Sequence, residues 1–287
     1  MMTQQKAVEA VNFVYDALAD PSEIISREGM GDIHDALKPA LKTWTNECDG
    51  TRNILMVAAV GSVNYDLLNE SSDLDLKAIY MPNFSDFYHG KFPKINFVTD
   101  AFDCELTPAH KYVEYVLKGS LNHFEPLVST ACLARPDFIH IMHKYLVPMT
   151  EMNVIAMTKA AWFMAMKAHH DAVRAAWKPK KAANALRILM FLITYMDEGR
   201  FEYVPTGVCK DAIMRLKDGT MERTEYESLY VELYDTAKMM VFASYQDEPR
   251  KYELSKQVLG MDETKSSKWT EMRAELYKEM MKLVEKE

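Results

Sequence analysis

Short apolar runs and alternating segments in the first half of the chain predict β-strands. Residues 54–60 (ILMVAAV) form an uninterrupted apolar run that ends at a glycine, a pattern typical of a buried strand. Residues 73–80 and 97–106 alternate between apolar and polar side chains, which is the two-residue period of a half-buried strand. Helical spacing over residues 4–18 and 33–45 adds two helices, so this half is predicted to be mixed α/β.

After about residue 150 the apolar period becomes that of helices, and few strand signals remain. The pattern predicts helices over residues 152–176, 180–198, 208–217, 222–245 and 263–285. We therefore predict an α/β (α+β) fold with two domains. A mixed-sheet α/β domain over residues 1–150 is followed by an α-helical domain over residues 151–287 that covers one side of a cleft.

Turn and cap residues refine these boundaries. Gly61 predicts a tight turn at the end of the first strand, with a short helix beginning near Asn64. Thr107 and Pro108 have the composition of a helix N-terminus, and Gly119 has that of a helix end. A helix is therefore predicted directly after the second alternating segment.

The turn after the first strand has the composition of a phosphate-binding site. Gly61 lets backbone N–H groups approach a phosphate closely, and Ser62 adds a hydroxyl donor. A helix that begins just after the turn favours negative charge at its N-terminus. Since Gly-Ser pairs mark turns in many proteins, these two residues indicate chemistry only together with the acids that follow them.

Paired carboxylates lie on the next predicted strand. Asp73 and Asp75 share the polar face of residues 73–80, and two carboxylates so close repel each other unless a cation is present. Mg²⁺ takes hard oxygen ligands, often one or two carboxylates together with substrate phosphates. A third acid, Asp103, lies on the polar face of the next alternating segment, with Glu105 as the competing choice. These residues predict metal-assisted phosphoryl or nucleotidyl transfer.

The order and spacing of these residues carry a family resemblance. The matching positions are Gly61, Ser62, Tyr65, Ser72, Asp73, Asp75, Asp103, Lys118, Gly119 and Asn122. They resemble the DNA polymerase β-type nucleotidyltransferase superfamily, and most closely the predicted nucleotidyltransferase family that includes RNA-ligase-associated members. That family has G-S-x-x-Y, then S-D-x-D, then an Asp-bearing strand and a helix with K-G-x-x-N. The similarity spans roughly residues 54–190 and favours Asp103 over Glu105.

The resemblance implies a reaction and a set of site residues. The expected reaction moves a nucleoside monophosphate from an NTP, with ATP as the expected nucleotide, to a hydroxyl acceptor and releases pyrophosphate. The acceptor stays open among an RNA end, a small molecule and a protein hydroxyl. Asp73, Asp75 and Asp103 would be catalytic and would ligate Mg²⁺ or Mn²⁺. The nucleotide-binding residues would be Gly61, Ser62, Tyr65, Ser72, Lys77, Lys180, Asn184 and Arg187.

Two positions depart from the family pattern. Asp66 stands where the family usually has Gly, and Lys77 stands where it usually has Arg. An acid near a triphosphate is unfavourable unless its side chain points away. The departures therefore bear on nucleotide affinity and substrate choice, while the expected metal ligands are intact.

A polar stripe marks the helix predicted over residues 180–198. Lys180, Asn184 and Arg187 fall at i, i+4 and i+7, which places them on one helical face. The functional interpretation is a surface that contacts the triphosphate or the acceptor. The structural alternative is the solvated face of an amphipathic helix.

The net charge and the composition of the chain limit the classes of partner that we expect. The 287 residues carry a formal net charge of −8, so we expect no duplex-DNA partner, because that binding needs many Lys and Arg contacts to phosphate. No apolar run approaches a membrane span, and the N-terminus lacks the apolar segment of a signal peptide. We therefore expect a cytoplasmic protein without a membrane partner.

A second class of function stays open from the sequence. The alternative is a catalytically weak or inactive nucleotide-binding regulator, or an antitoxin-like partner protein. Three converging acids argue against this alternative, because they repel one another and give a protein without catalysis no advantage.

Overall fold

The fold is described from a computed structural model. The described residues are 3–20, 41–42, 53–69, 72–92, 94–98, 102–151, 154–198, 204–246 and 267–284. Of the helix predicted over residues 33–45, only residues 41–42 are described, and both are helical. The rest of that prediction lies outside the described residues.

Five strands of the described chain form one mixed sheet. They are β1 (Asn53–Val60), β2 (Asp75–Met81), β3 (Ile95–Val98), β4 (Asp103–Pro108) and β5 (Cys132–Ala134). Their order across the sheet is β3-β4-β2-β1-β5. Strands β2 and β4 run parallel, while the other three neighbouring pairs run antiparallel. The predicted mixed α/β class is therefore confirmed.

One predicted strand is two strands in the structure. The alternation over residues 97–106 predicts a single strand, but β3 and β4 pair antiparallel, so the chain reverses between Val98 and Asp103. Because apolar and polar positions alternate on both sides of the reversal, the pattern alone does not show it. The reversal makes Asp103 the first residue of its own strand.

The helices account for most of the remaining described chain. They are α1 (Gln4–Ala19), α2 (Phe84–His89), α3 (Ala109–Leu117), α4 (Leu121–Phe124), α5 (Pro136–Ile141), α6 (Val147–Glu151), α7 (Val154–Val173), α8 (Pro179–Glu198), α9 (Gly207–Lys217), α10 (Arg223–Gln246) and α11 (Ser267–Val284). Helices α7 to α11 confirm the five helices predicted after residue 150. The short elements α2, α4, β5, α5 and α6 were not predicted, because each spans too few residues to show a period.

Two local predictions are wrong. Strand β4 continues through Thr107, which pairs with Ile79 of β2, so Thr107 is not a helix cap. The N-cap of α3 is Pro108, whose backbone is extended. In place of the helix predicted from Asn64, the chain forms a 3₁₀ turn over Gly61–Val63.

The sheet separates two apolar cores. Helix α1 packs against β1 and β5 on one face, where buried residues such as Val57 and Ala78 form the first core. On the other face, Leu55 and Ile79 belong to a larger core that continues through α3 to α11. The division into two domains at residue 150 stays a prediction. Within the described ranges, no helix has both the length and the apolar character that crossing a membrane requires.

Candidate active site

One cleft, with a volume of about 550 Å³, brings the predicted site residues together. It lies between the N-terminal ends of β2 and β4 on one side and helices α8 and α9 on the other. All of the predicted catalytic and nucleotide-binding residues line it: Gly61, Ser62, Tyr65, Ser72, Asp73, Asp75, Lys77, Asp103, Lys180, Asn184 and Arg187. Its volume is in the range of small-molecule sites. The roles of these residues stay predictions.

Two of the acids are direct neighbours on the floor of the cleft. Asp75 begins β2 and Asp103 begins β4, and the parallel register pairs them with each other. Adjacent strands lie about 4.8 Å apart, and paired residues of parallel strands point to the same face. Asp75 is half-buried and Asp103 is exposed. The fold therefore sets two carboxylates side by side.

The crowding of acids changes the protonation of Asp75. Burial, together with the nearby Asp103, Asp73 and Glu125 carboxylates, raises the pKa of Asp75 to about 6. Each of these causes disfavours the charged carboxylate, and a bound cation would reverse the effect. The surroundings of Asp75 thus favour binding of either a proton or a cation by its carboxylate.

Gly61 is required by the close approach of the turn to Asp75. Its φ is +69°, in the left-handed region that favours glycine, and a Cβ placed there would lie 2.8 Å from Asp75 Oδ2. Its N–H donates to Oε1 of Glu125. The N–H that we expected to contact a phosphate is therefore already hydrogen-bonded to a buried carboxylate.

Asp73 precedes β2, which begins at Asp75, so it is not on the strand where the sequence placed it. Its side chain is 76% exposed, and its Oδ2 lies 3.7 Å from Lys180 Nζ of α8. Among the described residues, no three His, Cys, Asp or Glu side chains form a group close enough to hold a metal ion. The donors at Asp75 and Asp103 are nevertheless hard oxygens crowded by like charge, and both properties fit a divalent cation.

Glu105, the competing choice for the third acid, is surrounded by bases. It pairs across the parallel ladder with Lys77, not with Asp75. Its carboxylate lies 3.0 Å from Lys94 Nζ, 3.6 Å from His123 Nε2 and 3.8 Å from Lys77 Nζ. The neighbouring His123, Lys77 and Lys94 hold the pKa of Glu105 well below its usual range. Glu105 thus has cationic partners within the protein, and Asp103 is the partner of Asp75.

The polar stripe of α8 lies along the wall of the cleft. Lys180, Asn184 and Arg187 all face it, so the stripe is not a fully solvated face. The Arg187 guanidinium stacks 3.8 Å above the centroid of the Tyr65 ring and donates to Asn184 Oδ1 at 2.7 Å. Arg187 is therefore held in place by Tyr65, a residue of the turn that follows β1.

Sequence reasoning missed Lys217, the last residue of α9. Its ammonium donates to Ser62 Oγ at 2.9 Å, to Ser72 Oγ at 3.1 Å and to the carbonyl oxygen of Leu67. Burial and the nearby Lys180 lower its pKa. Lys217 thus joins α9 to both predicted phosphate-contacting hydroxyls. No local motif marks it, because about 150 residues separate it from its partners.

The acid that departs from the family pattern points out of the cleft. Asp66 has φ +52°, a left-handed conformation that suits the glycine of the family pattern. Its side chain is 75% exposed and pairs with Lys210 of α9, and it does not line the cleft. The unfavourable contact between Asp66 and a triphosphate is therefore avoided.

The remaining motif residues divide between contact and packing. Asn122 lines the cleft, whereas Lys118 is exposed at the end of α3. Gly119 has φ +79°, and a Cβ there would lie 2.5 Å from the backbone carbon of Ala156. Close packing against α7 therefore accounts for this glycine.

Comparison with known proteins adds no assignment. No protein-family model matches the chain, and no curated protein matches it either.

Proposed function

We propose that the protein is a metal-dependent nucleotidyltransferase that moves a nucleoside monophosphate from an NTP to a hydroxyl acceptor. The observation that carries this proposal is the pairing of Asp75 with Asp103 on adjacent parallel strands, beside the Gly61–Ser62 turn. Lysine and arginine side chains of α8 and α9 face these acids across the same cleft. Carboxylates on one wall and cations on the other suit a substrate that carries both a metal and phosphates.

The acids would hold the metal. Asp75 and Asp103, with Asp73 beside them, would ligate Mg²⁺ or Mn²⁺ when the NTP is present. The bound ions would supply charge stabilisation at the α-phosphate and lower the pKa of the attacking hydroxyl. Asp73 would then exchange its contact with Lys180 for the metal, which would leave the Lys180 ammonium available to the phosphates.

The chain's own residues would orient the reacting groups. Asp103, the more exposed acid of the adjacent pair, would orient the acceptor hydroxyl. The hydroxyl oxygen would form a bond to the α-phosphorus, and its proton would pass to a carboxylate of the site or to water. The bond from the α-phosphorus to the bridging oxygen of the β-phosphate breaks, and pyrophosphate leaves. Positioning and charge stabilisation are the main contributions that a protein makes to such a transfer.

Cations of α8 and α9, together with hydroxyls that lie beside the acids, would bind the β- and γ-phosphates. Ser62 and Ser72 supply hydroxyls, and Lys217 already contacts both of them. Lys180 and Arg187 add positive charge from α8. An arriving triphosphate would replace part of the hydrogen bonding of Lys217, because an anionic oxygen is a stronger acceptor than a hydroxyl.

The experiment that tests the proposal is a label-transfer assay. Each α-³²P-labelled NTP is incubated with the protein, Mg²⁺ and fractionated cell extract, and labelled products are separated as RNA, protein or small molecule. We expect label to enter one of these fractions from one preferred NTP, with release of pyrophosphate. Absence of transfer from every NTP, with Mg²⁺ or with Mn²⁺, would contradict the proposal.

One observation favours a second candidate, a nucleotide-binding regulator or partner protein without catalysis. Asp73 pairs with Lys180, so only two of the three acids are adjacent. Such a protein would bind NTP in the same cleft but would not transfer label. Equilibrium binding of NTP, measured beside the transfer assay, separates the two candidates.

A further inference from the structure

Glu125 is a buried acid beside the cleft to which the proposed chemistry gives no role. It opens the 3₁₀ turn Glu125–Val128 after α4, and only 5% of the residue is exposed. The residue nevertheless lines the cleft. A buried carboxylate is costly unless it is hydrogen-bonded or paired, so its contacts indicate why it is there.

Two hydrogen bonds of Glu125 go to the turn that follows β1. Its Oε1 accepts the N–H of Gly61, and its backbone carbonyl oxygen accepts Asn64 Nδ2 at 3.4 Å. Within the turn, the Asn64 N–H donates to the Gly61 carbonyl at 3.0 Å. A single residue therefore holds the first and last positions of the turn 61–64.

The position of this turn determines the geometry of the site. Gly61 lies so close to Asp75 that a Cβ would be 2.8 Å from Asp75 Oδ2, and Ser62 follows directly. A displacement of well under an ångström would thus change the distance between the Ser62 hydroxyl and the acids. Catalytic groups need to be held within about 0.5 Å of productive geometry by supporting residues.

We propose that Glu125 is a positioning residue: by accepting the Gly61 N–H, it fixes the turn that presents Ser62 to the phosphates of the NTP. This inference rests on the proposed function. The required property is an acceptor oxygen at the reach of a glutamate side chain. The negative charge itself is unfavourable next to Asp75, because like charges repel.

Three substitutions of Glu125 distinguish the effect of its side-chain length from the effect of its charge. Glu125→Gln keeps an acceptor oxygen at the same reach and removes the charge. Glu125→Asp keeps the charge and withdraws the oxygen by one methylene. Glu125→Met keeps the volume and removes the acceptor, so the Gln and Met variants are a matched pair for the hydrogen bond.

The measurements are nucleotide affinity and backbone protection. MgATP and MgAMP binding are measured by calorimetry, because a loss confined to ATP reports on the phosphate contacts rather than on general unfolding. Hydrogen exchange of the 61–64 segment is measured without nucleotide. We expect Glu125→Gln to bind ATP within about threefold of wild type, because it keeps the acceptor oxygen. Glu125→Asp and Glu125→Met should bind ATP about tenfold or more weakly, because the Gly61 N–H loses its acceptor. AMP affinity should be nearly unchanged, and exchange should accelerate only in the Asp and Met variants.

The outcomes are distinguishable. ATP affinity that survives in Glu125→Asp and is lost in Glu125→Gln would overturn the inference, since the charge would then be what matters. Equal behaviour of all three variants would overturn it as well. If Glu125→Met does not fold, the Gln and Asp pair decides. If the wild type binds no NTP, the proposed function fails, and hydrogen exchange alone decides whether Glu125 positions the turn.

Discussion

Two residue pairs on the same face of strands β2 and β4, the first and the third rungs of their ladder, have opposite electrostatics. On the first rung of β2 and β4, Asp75 faces Asp103, and on the third rung Lys77 faces Glu105. The first pair is acid beside acid, and the pKa of Asp75 is raised to about 6 by burial and by its acidic neighbours. The second pair is base beside acid, and its bases hold the pKa of Glu105 well below its usual range.

We interpret the third rung as a pair that stabilises the fold and the first rung as the proposed functional pair. The Lys77–Glu105 rung has its charges matched within the protein, as expected of residues that support the fold. The Asp75–Asp103 rung leaves a like-charge pair on the floor of the cleft, which costs stability and is expected where a ligand completes the site. A substitution that removes the repulsion between like charges at the first rung should therefore stabilise the protein and abolish its function.

The largest expected effect follows from removing one acid of the first rung. Asp75→Asn should lower label transfer by roughly 10³-fold, because charge stabilisation at the metal contributes several kcal/mol. The protein should stay folded. The matched control is Glu105→Gln on the third rung, which should keep transfer within about tenfold of wild type. Near-normal transfer by Asp75→Asn would show that the first rung is not catalytic.

The next effect concerns Arg187 on the opposite wall. Arg187→Ala should lower kcat/KM for the NTP by about 10- to 150-fold, the value of one charge-assisted hydrogen bond, and Arg187→Lys should recover only part of it. Because Arg187 stacks on Tyr65, a small fall in melting temperature should accompany the loss. Kinetics and thermal unfolding are measured on the same variant. A lower melting temperature with unchanged kinetics would mean that Arg187 only connects α8 to the turn after β1, through its contact with Tyr65.

The two lysines of α9 give a smaller and sharper comparison. Lys217 contacts the hydroxyls of Ser62 and Ser72, whereas Lys210 pairs with exposed Asp66 outside the cleft. Lys217→Met should weaken ATP binding by about tenfold. Lys210→Met should change it by less than about twofold, since exposed ion pairs contribute little. Calorimetry on both variants checks this, and equal losses would indicate that α9 acts as a whole.

The smallest effect is on the pH dependence of stability. The pKa of Asp75 is higher in the folded state than in the unfolded chain, so unfolding releases a proton and stability falls as pH rises from about 4 to about 6. Glu105 has the opposite shift, so its contribution is present above its unfolded pKa and is lost as pH falls. In metal-free buffer at pH 7.5, Asp75→Asn should therefore melt about 2–4 °C above wild type, and Glu105→Gln below it. At pH 4 both differences should shrink.

The sequence predicted the site residues that belong to a local pattern, such as the alternation of a strand or the spacing of a helix. Alternation placed Asp75 and Asp103 on polar strand faces, and helical spacing placed Lys180, Asn184 and Arg187 on one face. Lys217 and Glu125 could not be found in this way, because each contacts the turn after β1 from a distant part of the chain. Likewise, the reversal between β3 and β4 depends on strand pairing, which a two-residue period does not reveal.

The most direct test of the central claim is metal binding by the first rung. Mn²⁺ is titrated into the protein with a non-hydrolysable ATP analogue, and bound metal is measured by electron paramagnetic resonance for wild type, Asp75→Asn and Glu105→Gln. We expect protein-dependent Mn²⁺ binding in wild type and in Glu105→Gln, and its loss in Asp75→Asn. Equal Mn²⁺ binding by wild type and Asp75→Asn would contradict the claim that the Asp75–Asp103 pair is a cation site.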